Sequence, residues 1–70
     1  MSTRVLQDLQ EASTLSRVVA RNFDVAVAME GCGYRKEADY HVQIAHAALH
    51  SLADHLGYRL EKFAPVKEVA

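Results

Sequence analysis

Three consecutive side chains, Tyr34, Arg35 and Lys36, are the residues of this sequence whose types and spacing best suit a ligand. They follow a glycine-containing turn and open a predicted helix, so they lie beside free backbone N–H groups at the positive end of the helix dipole. This loop cluster of an aromatic ring, a guanidinium and an ammonium could bind a phosphate-bearing ligand with a stackable base. The alternative is that Arg35 and Lys36 are solvated and pair with Glu37 and Asp39.

A second basic group lies on the helix predicted before the turn. Arg17 and Arg21 are four residues apart, so they share a helix face, with Asp24 nearby. A pair of arginines that an oligomer repeats could bind phosphate, although such a pair is often only a solvated face. We expect Arg17 or Arg21 of a neighbouring subunit to complete the ligand site of the loop cluster.

The four histidines of the chain all follow the turn, and two of them have a spacing that a metal could use. His46, His50 and Asp54 are four residues apart in turn, which puts them on one helix face. A structural zinc site normally needs four ligands, and the sequence offers no cysteine pair. These three residues are therefore weak metal candidates, and we expect no metal and no cofactor.

No residue pattern in the sequence indicates catalysis. A di-iron bundle needs Glu-x-x-His, whereas Glu37 and His41 are spaced by four. Cys32 is the single cysteine, lies between two glycines, and is about two helical turns from His41. We expect a protein that is not an enzyme, without an intrachain disulfide, in the reducing cytoplasm.

The elements that must position these residues are two helices. Apolar and small residues alternate at steps of three and four along the first part of the chain, which predicts a helix over about residues 3 to 30. The stretch 13–16 is rich in hydroxyl groups and could kink this helix. The run 25–29 could also form a strand, but no second strand is available to pair with it. The predicted stripe consists of Val5, Leu9, Ala12, Ser16, Val19, Phe23 and Ala26.

The turn at 31–33 joins this helix to a second one over about residues 34 to 63, so that the two helices form an antiparallel hairpin. Gly57 could end the second helix early, and Pro65 would end it in any case. We expect a frayed tail at 66–70 and a single domain over residues 1–70. The predicted seam of the second helix consists of Val42, Ala45, Leu49, Leu52 and Leu56.

The size and composition of the chain favour self-association. Half of the 70 residues are hydrophobic, and a lone hairpin buries too little apolar surface to offset the entropy of ordering the chain. Ile44, Ala48 and Ser51 form a second, weaker stripe on the second helix. The sequence thus predicts an all-α hairpin that assembles into a homodimeric four-helix bundle or a larger homo-oligomer. Alanines at 38, 45, 47, 48 and 53 would let the helices approach closely.

Charge gives no argument for a nucleic acid or a membrane as partner. The net charge is -1, with eight basic and nine acidic residues. Charged residues are also dense in the first thirty positions, which excludes a signal peptide or a membrane span there. We therefore expect a protein without a membrane partner.

The segment 49–56, with sequence LHSLADHL, resembles the Rop family of plasmid copy-number regulators. That resemblance implies a dimeric four-helix bundle with an RNA-binding face on the first helices. Arg17 and Arg21 would have to form this face against three acidic side chains of the same helix. RNA is therefore not the expected partner.

A second resemblance is to the small phage hairpins of the anti-CBASS and anti-Thoeris type, which sequester cyclic nucleotide signals. Arg35, Ile44, Ala47 and Ala48 match the spacing of that family. The resemblance implies a sponge protein that holds a nucleotide-like anion without chemistry. The alternatives are a protein-binding adaptor or inhibitor that docks through its helical surface, and a Rop-like RNA-binding regulator.

Overall fold

The computed structural model describes residues 3–63 and shows two helices, α1 at Thr3–Gly31 and α2 at Arg35–Leu56. They pack against each other as an antiparallel hairpin, which confirms the prediction of an all-α hairpin. The run 25–29 is helical, so the alternative of a strand there is wrong, and the described residues contain no strand. The predicted frayed tail at 66–70 lies outside the described residues.

The hydroxyl-rich stretch of α1 does not interrupt the helix. The Ser16 hydroxyl donates a hydrogen bond of 2.8 Å to the carbonyl oxygen of Ala12, one turn earlier. The Ser16 hydroxyl is thus satisfied within its own helix, and the backbone hydrogen bonds of α1 continue through this stretch. The predicted possibility of a break near 13–16 is therefore not realised.

The turn after α1 is a Schellman motif centred on Gly33. Gly33 has a φ of 86°, which places it in the left-handed region that glycine reaches without a steric penalty. The Tyr34 N–H donates to the carbonyl oxygen of Met29 at 2.8 Å, and the Gly33 N–H donates to that of Glu30 at 3.1 Å. Gly31, by contrast, is the last helical residue of α1.

The end of α2 repeats the same motif. Gly57 has a φ of 89°, and the Tyr58 N–H donates to the carbonyl oxygen of Ala53 at 2.7 Å. The sequence prediction extended this helix to about residue 63. The structure ends it at Leu56, because the left-handed Gly57 turns the chain out of the helix.

Alanine alone is buried between the two helices. No large side chain of the described residues is fully buried. Small side chains let two helix backbones approach closely. Of the alanines of α2 predicted to allow this approach, Ala47 is exposed, whereas Ala48, which was also placed on an outer stripe, is buried with the other three. The buried residues are Ala26, Ala38, Ala45, Ala48 and Ala53.

The large apolar side chains lie beside this alanine seam rather than in it. In the predicted seam of α2, Leu49 and Leu56 are 37% and 54% exposed, while Ala45 is fully buried. Each predicted stripe is thus turned partly away from the other helix, because alanine occupies the line of closest approach.

Several of the exposed apolar side chains beside the alanine seam lie on one side of the hairpin. Phe23 and Val27 of α1 line a shallow groove of about 500 Å³ together with Val42 of α2. Leu9 precedes Phe23 by two heptads, and Leu49 and Leu56 follow Val42 by one and two heptads, which keeps them in line. We call the following six residues the apolar face: Leu9, Phe23, Val27, Val42, Leu49 and Leu56.

The two glycines of the first turn give a matched pair of substitutions. Gly33→Ala forces a Cβ into a left-handed conformation and should cost about 1 kcal/mol or more of unfolding free energy. Gly31→Ala should instead stabilise by up to about 1 kcal/mol, because a helical glycine gains from the methyl group and no atom lies within 4 Å of the new Cβ. Urea unfolding at one protein concentration measures both. Equal effects at the two positions would contradict the Schellman turn.

Candidate functional site

The loop cluster is fully accessible at the start of α2. Tyr34 is 57% exposed, and Arg35 and Lys36 are also exposed. The first backbone bond of the helix runs from the Ala38 N–H to the Tyr34 carbonyl oxygen at 3.0 Å, and no side chain caps this end. The three N–H groups before Ala38 therefore have no intrahelical partner and point toward the cluster.

Arg35 forms an ion pair that the sequence analysis did not include. Its guanidinium donates to Glu30 Oε2 at 2.8 Å, with both side chains more than half exposed. Neither Glu37 nor Asp39, the acidic neighbours considered from the sequence, is its partner. The Schellman turn brings residues 30 and 35 together, so recognition of this turn in the sequence would have identified the pair. The carboxylate lowers the positive charge of the loop cluster, although an exposed pair contributes only about 0–1 kcal/mol.

Arg17 and Arg21 do not join the loop cluster within one hairpin. Both side chains are exposed, and no ion pair among the described residues involves either of them. Arg21 lies roughly 15 Å from the end of α1 at the usual helical rise. Within one hairpin, these arginines therefore lie apart from a ligand held at the turn.

The predicted metal candidates are also dispersed. His46 makes an edge-to-face contact with Phe23, with ring centroids 5.9 Å apart. His46 and His50 line a shared groove with Leu60, whereas Asp54 is not part of that lining. Among the described residues, no three His, Cys, Asp or Glu side chains are grouped so that they could hold a metal ion.

His41 has a structural partner on α1. The Asn22 side-chain amide donates to the Val18 carbonyl oxygen at 2.8 Å, so its Oδ1 atom is the acceptor that faces His41. His41 Nδ1 lies 2.8 Å from that oxygen and therefore carries the donated proton. This half-buried polar contact directs His41 toward α1 and away from Cys32, which is exposed in the turn.

A second polar contact joins the helices near the open end of the hairpin. His55 Nε2 donates to the carbonyl oxygen of Asp8 at 3.0 Å, and lies 3.6 Å from the Asp8 carboxylate. His55 Nδ1 is 4.0 Å from Glu11. The sequence analysis assigned no role to His41 or His55. Their spacing of two heptads, in phase with the buried Ala45 and Ala48, is the signal that places both at the helix interface.

The Asn22–His41 contact predicts a measurable loss of stability. Asn22→Ala removes the acceptor and leaves the His41 Nδ1–H without its partner, which should cost roughly 1–2 kcal/mol of unfolding free energy. Gln10→Ala on the exposed side of α1 is the matched control and should change stability by less than about 0.5 kcal/mol. Chemical denaturation of both variants checks this. Equal losses would mean that the contact does not stabilise the hairpin.

Comparisons with protein-family models, with curated proteins and with solved structures found no match to this chain. Neither described helix has the length and apolar character that crossing a membrane requires. The resemblances to sponge and Rop-like hairpins thus stay predictions.

Proposed function

We propose that the protein is a non-enzymatic binding protein that works as an assembled helix bundle rather than as a lone hairpin. The observation that carries this proposal is the division of apolar residues in the hairpin. Only alanines are buried between the helices, while five of the six residues of the apolar face are at least 37% exposed. Large apolar side chains gathered on one open face are typical of a binding surface.

The energetics of the alanine seam support assembly. Each buried methyl group contributes about 0.8 kcal/mol. A seam of five alanines therefore contributes little apolar burial, and burial of the apolar face in an assembly would add stability that the lone hairpin lacks.

Assembly predicts that helicity depends on concentration. Diluting the protein should dissociate the bundle and, because a lone hairpin is unstable, reduce the helical circular dichroism over the same concentration range. Sedimentation velocity and circular dichroism on the same dilution series measure both changes. A monomer that stays fully helical at the lowest concentration would refute the proposal.

The ligand that we propose for the assembled protein is a nucleotide-like anion bound at the loop cluster and sequestered without chemistry. The accessible Tyr34 ring, the N–H groups at the start of α2 and Lys36, which has no ion pair among the described residues, support this assignment. Glu30 opposes it, because its carboxylate already holds Arg35. The proposed site therefore requires an anion that displaces Glu30 from Arg35.

The competition by Glu30 gives the sharpest test of this ligand class. Glu30→Gln should tighten binding of a cyclic dinucleotide by up to roughly fivefold, because binding no longer has to break the ion pair between Arg35 and the Glu30 carboxylate. Glu37→Gln is the control, since it removes the same charge nearby without contacting Arg35. Arg35→Ala with Lys36→Ala should abolish binding and leave the assembly intact.

Titration calorimetry with a panel of cyclic di- and trinucleotides provides the readout for these variants. Equal affinities for the Glu30 and Glu37 variants would show that Arg35 does not take part. Loss of assembly in the double alanine variant would make Arg35 and Lys36 structural residues instead. If no ligand of the panel binds the wild type, the nucleotide proposal fails for that panel.

The openness of the apolar face favours one second candidate, a protein-binding adaptor or inhibitor that docks this face on a partner's helix. Three apolar residues outside this face, Val25, Ile44 and Tyr58, are also predicted from the sequence as docking residues; Tyr58 is 70% exposed, whereas Val25 and Ile44 are half-buried. Apolar docking should respond little to salt, whereas binding of RNA should weaken steeply with salt. The salt dependence of any complex thus separates this candidate from Rop-like RNA binding.

A further inference from the structure

We infer that the apolar face is completed by a second copy of this chain, related by a two-fold axis that runs perpendicular to the helices. The two hairpins would then be antiparallel, with their turns at opposite ends of a four-helix bundle. This inference rests on the proposed function, because it names the partner that assembles the bundle. It also specifies which surface forms the interface and how the two copies are oriented.

The rotation of the two apolar stripes is the first argument. In a four-helix bundle, the apolar stripe of each helix points at the common centre of the bundle. One half of the stripe therefore contacts the neighbouring helix of the same hairpin, and the other half contacts the two helices of the opposite hairpin. Phe23 and Val27 of α1 and Val42 of α2 meet in one groove. His46, next to that groove, contacts Phe23. The hairpin therefore has the geometry of half of a bundle, with both open halves on the same side.

The area of the apolar face is the second argument. Taking roughly 150–200 Å² for a large side chain that is fully exposed, the exposed fractions of its residues leave roughly 400–600 Å² of apolar surface. A standard interface buries about 800 Å² per partner, of which about 60% is apolar. One hairpin thus presents about as much apolar surface as one side of a stable dimer needs.

Charges along the rim of the face favour the antiparallel orientation. Glu30 and Asp39 border the groove near the turn, whereas a second groove further from the turn is bordered by His46, His50, Glu61 and Lys62. A parallel dimer would place the acidic rim of one copy against the same rim of the other. An antiparallel dimer places the two acidic rims at opposite ends of the bundle, which avoids this repulsion between like charges.

The position of the single cysteine makes the orientation measurable without any substitution. Cys32 is exposed in the turn, so a spin label on it reports where the two turns lie. The antiparallel dimer should give a distance between the labels of roughly 40 Å, about the length of α1 at the usual rise per residue. A parallel dimer would place the two labels side by side, within roughly 25 Å.

A pair of neighbouring substitutions tests which surface is buried. Val27 is 73% exposed in the hairpin, so Val27→Glu removes little from the hairpin itself but would put a charge into the dimer interface. The dissociation constant of the dimer should therefore rise by at least about 100-fold. Ala28→Glu adds the same charge at an exposed position about 100° around α1, and should leave the dimer unchanged.

Sedimentation velocity of the full chain and double electron–electron resonance of the labelled wild type give the readout. A dimer with a label distance of roughly 40 Å, weakened by Val27→Glu and not by Ala28→Glu, is the expected result. A dimer with adjacent labels, or one insensitive to Val27→Glu, overturns this inference and leaves the proposed bundle standing. A helical monomer at every concentration overturns both.

Discussion

The line of closest contact between the two helices is occupied by alanine, and the rest of the structure follows from this constraint. Ala38, Ala45 and Ala48 of α2 are buried against α1, so no larger side chain holds the helices apart. Close approach improves the packing of the two backbones, but the alanine side chains bury little apolar surface between the helices. The larger apolar side chains that flank the seam stay exposed in the hairpin, and this exposure is the reason that we propose a second copy to cover them.

An alanine seam also says little about register. Ala38 and Ala45 are one heptad apart, so sliding α1 by a heptad along α2 would place alanine against much the same surface. The polar contacts prevent this. Asn22 with His41 and Asp8 with His55 are satisfied together in only one register, since each pair is two heptads from the other on both helices. Polar groups at otherwise apolar interface positions are a known way to specify alignment.

The sequence predicted the helical hairpin better than it predicted how each helix is rotated about its own axis. Periodicity identified two helices and the glycine turn, because these depend on local chemistry. It did not reveal that Leu49 and Leu56 lie beside the seam, since a hydrophobic stripe shows which side of a helix is apolar but not which neighbour covers it. The position at which α2 ends could not be predicted for a related reason, because Gly57 is compatible with both continuing and stopping a helix.

The candidate site shows the same division. That Tyr34, Arg35 and Lys36 open a helix followed from the turn alone. The Arg35–Glu30 ion pair joins residues on two sides of a Schellman motif, and only the three-dimensional path of the turn brings them together. If the loop cluster binds an anion as we propose, Glu30 would compete with that anion for Arg35.

Hydroxyl-radical footprinting tests most directly whether the apolar face is covered in solution. Phe23 and Leu49 are each 37% exposed in the hairpin, and Tyr40, outside the face, is 63% exposed. If two hairpins form a bundle, oxidation of Phe23 and Leu49 should be strongly suppressed at high protein concentration and should rise on dilution, with Tyr40 reactive throughout. Oxidation of Phe23 and Leu49 that is independent of concentration, while the protein remains helical, would contradict the account.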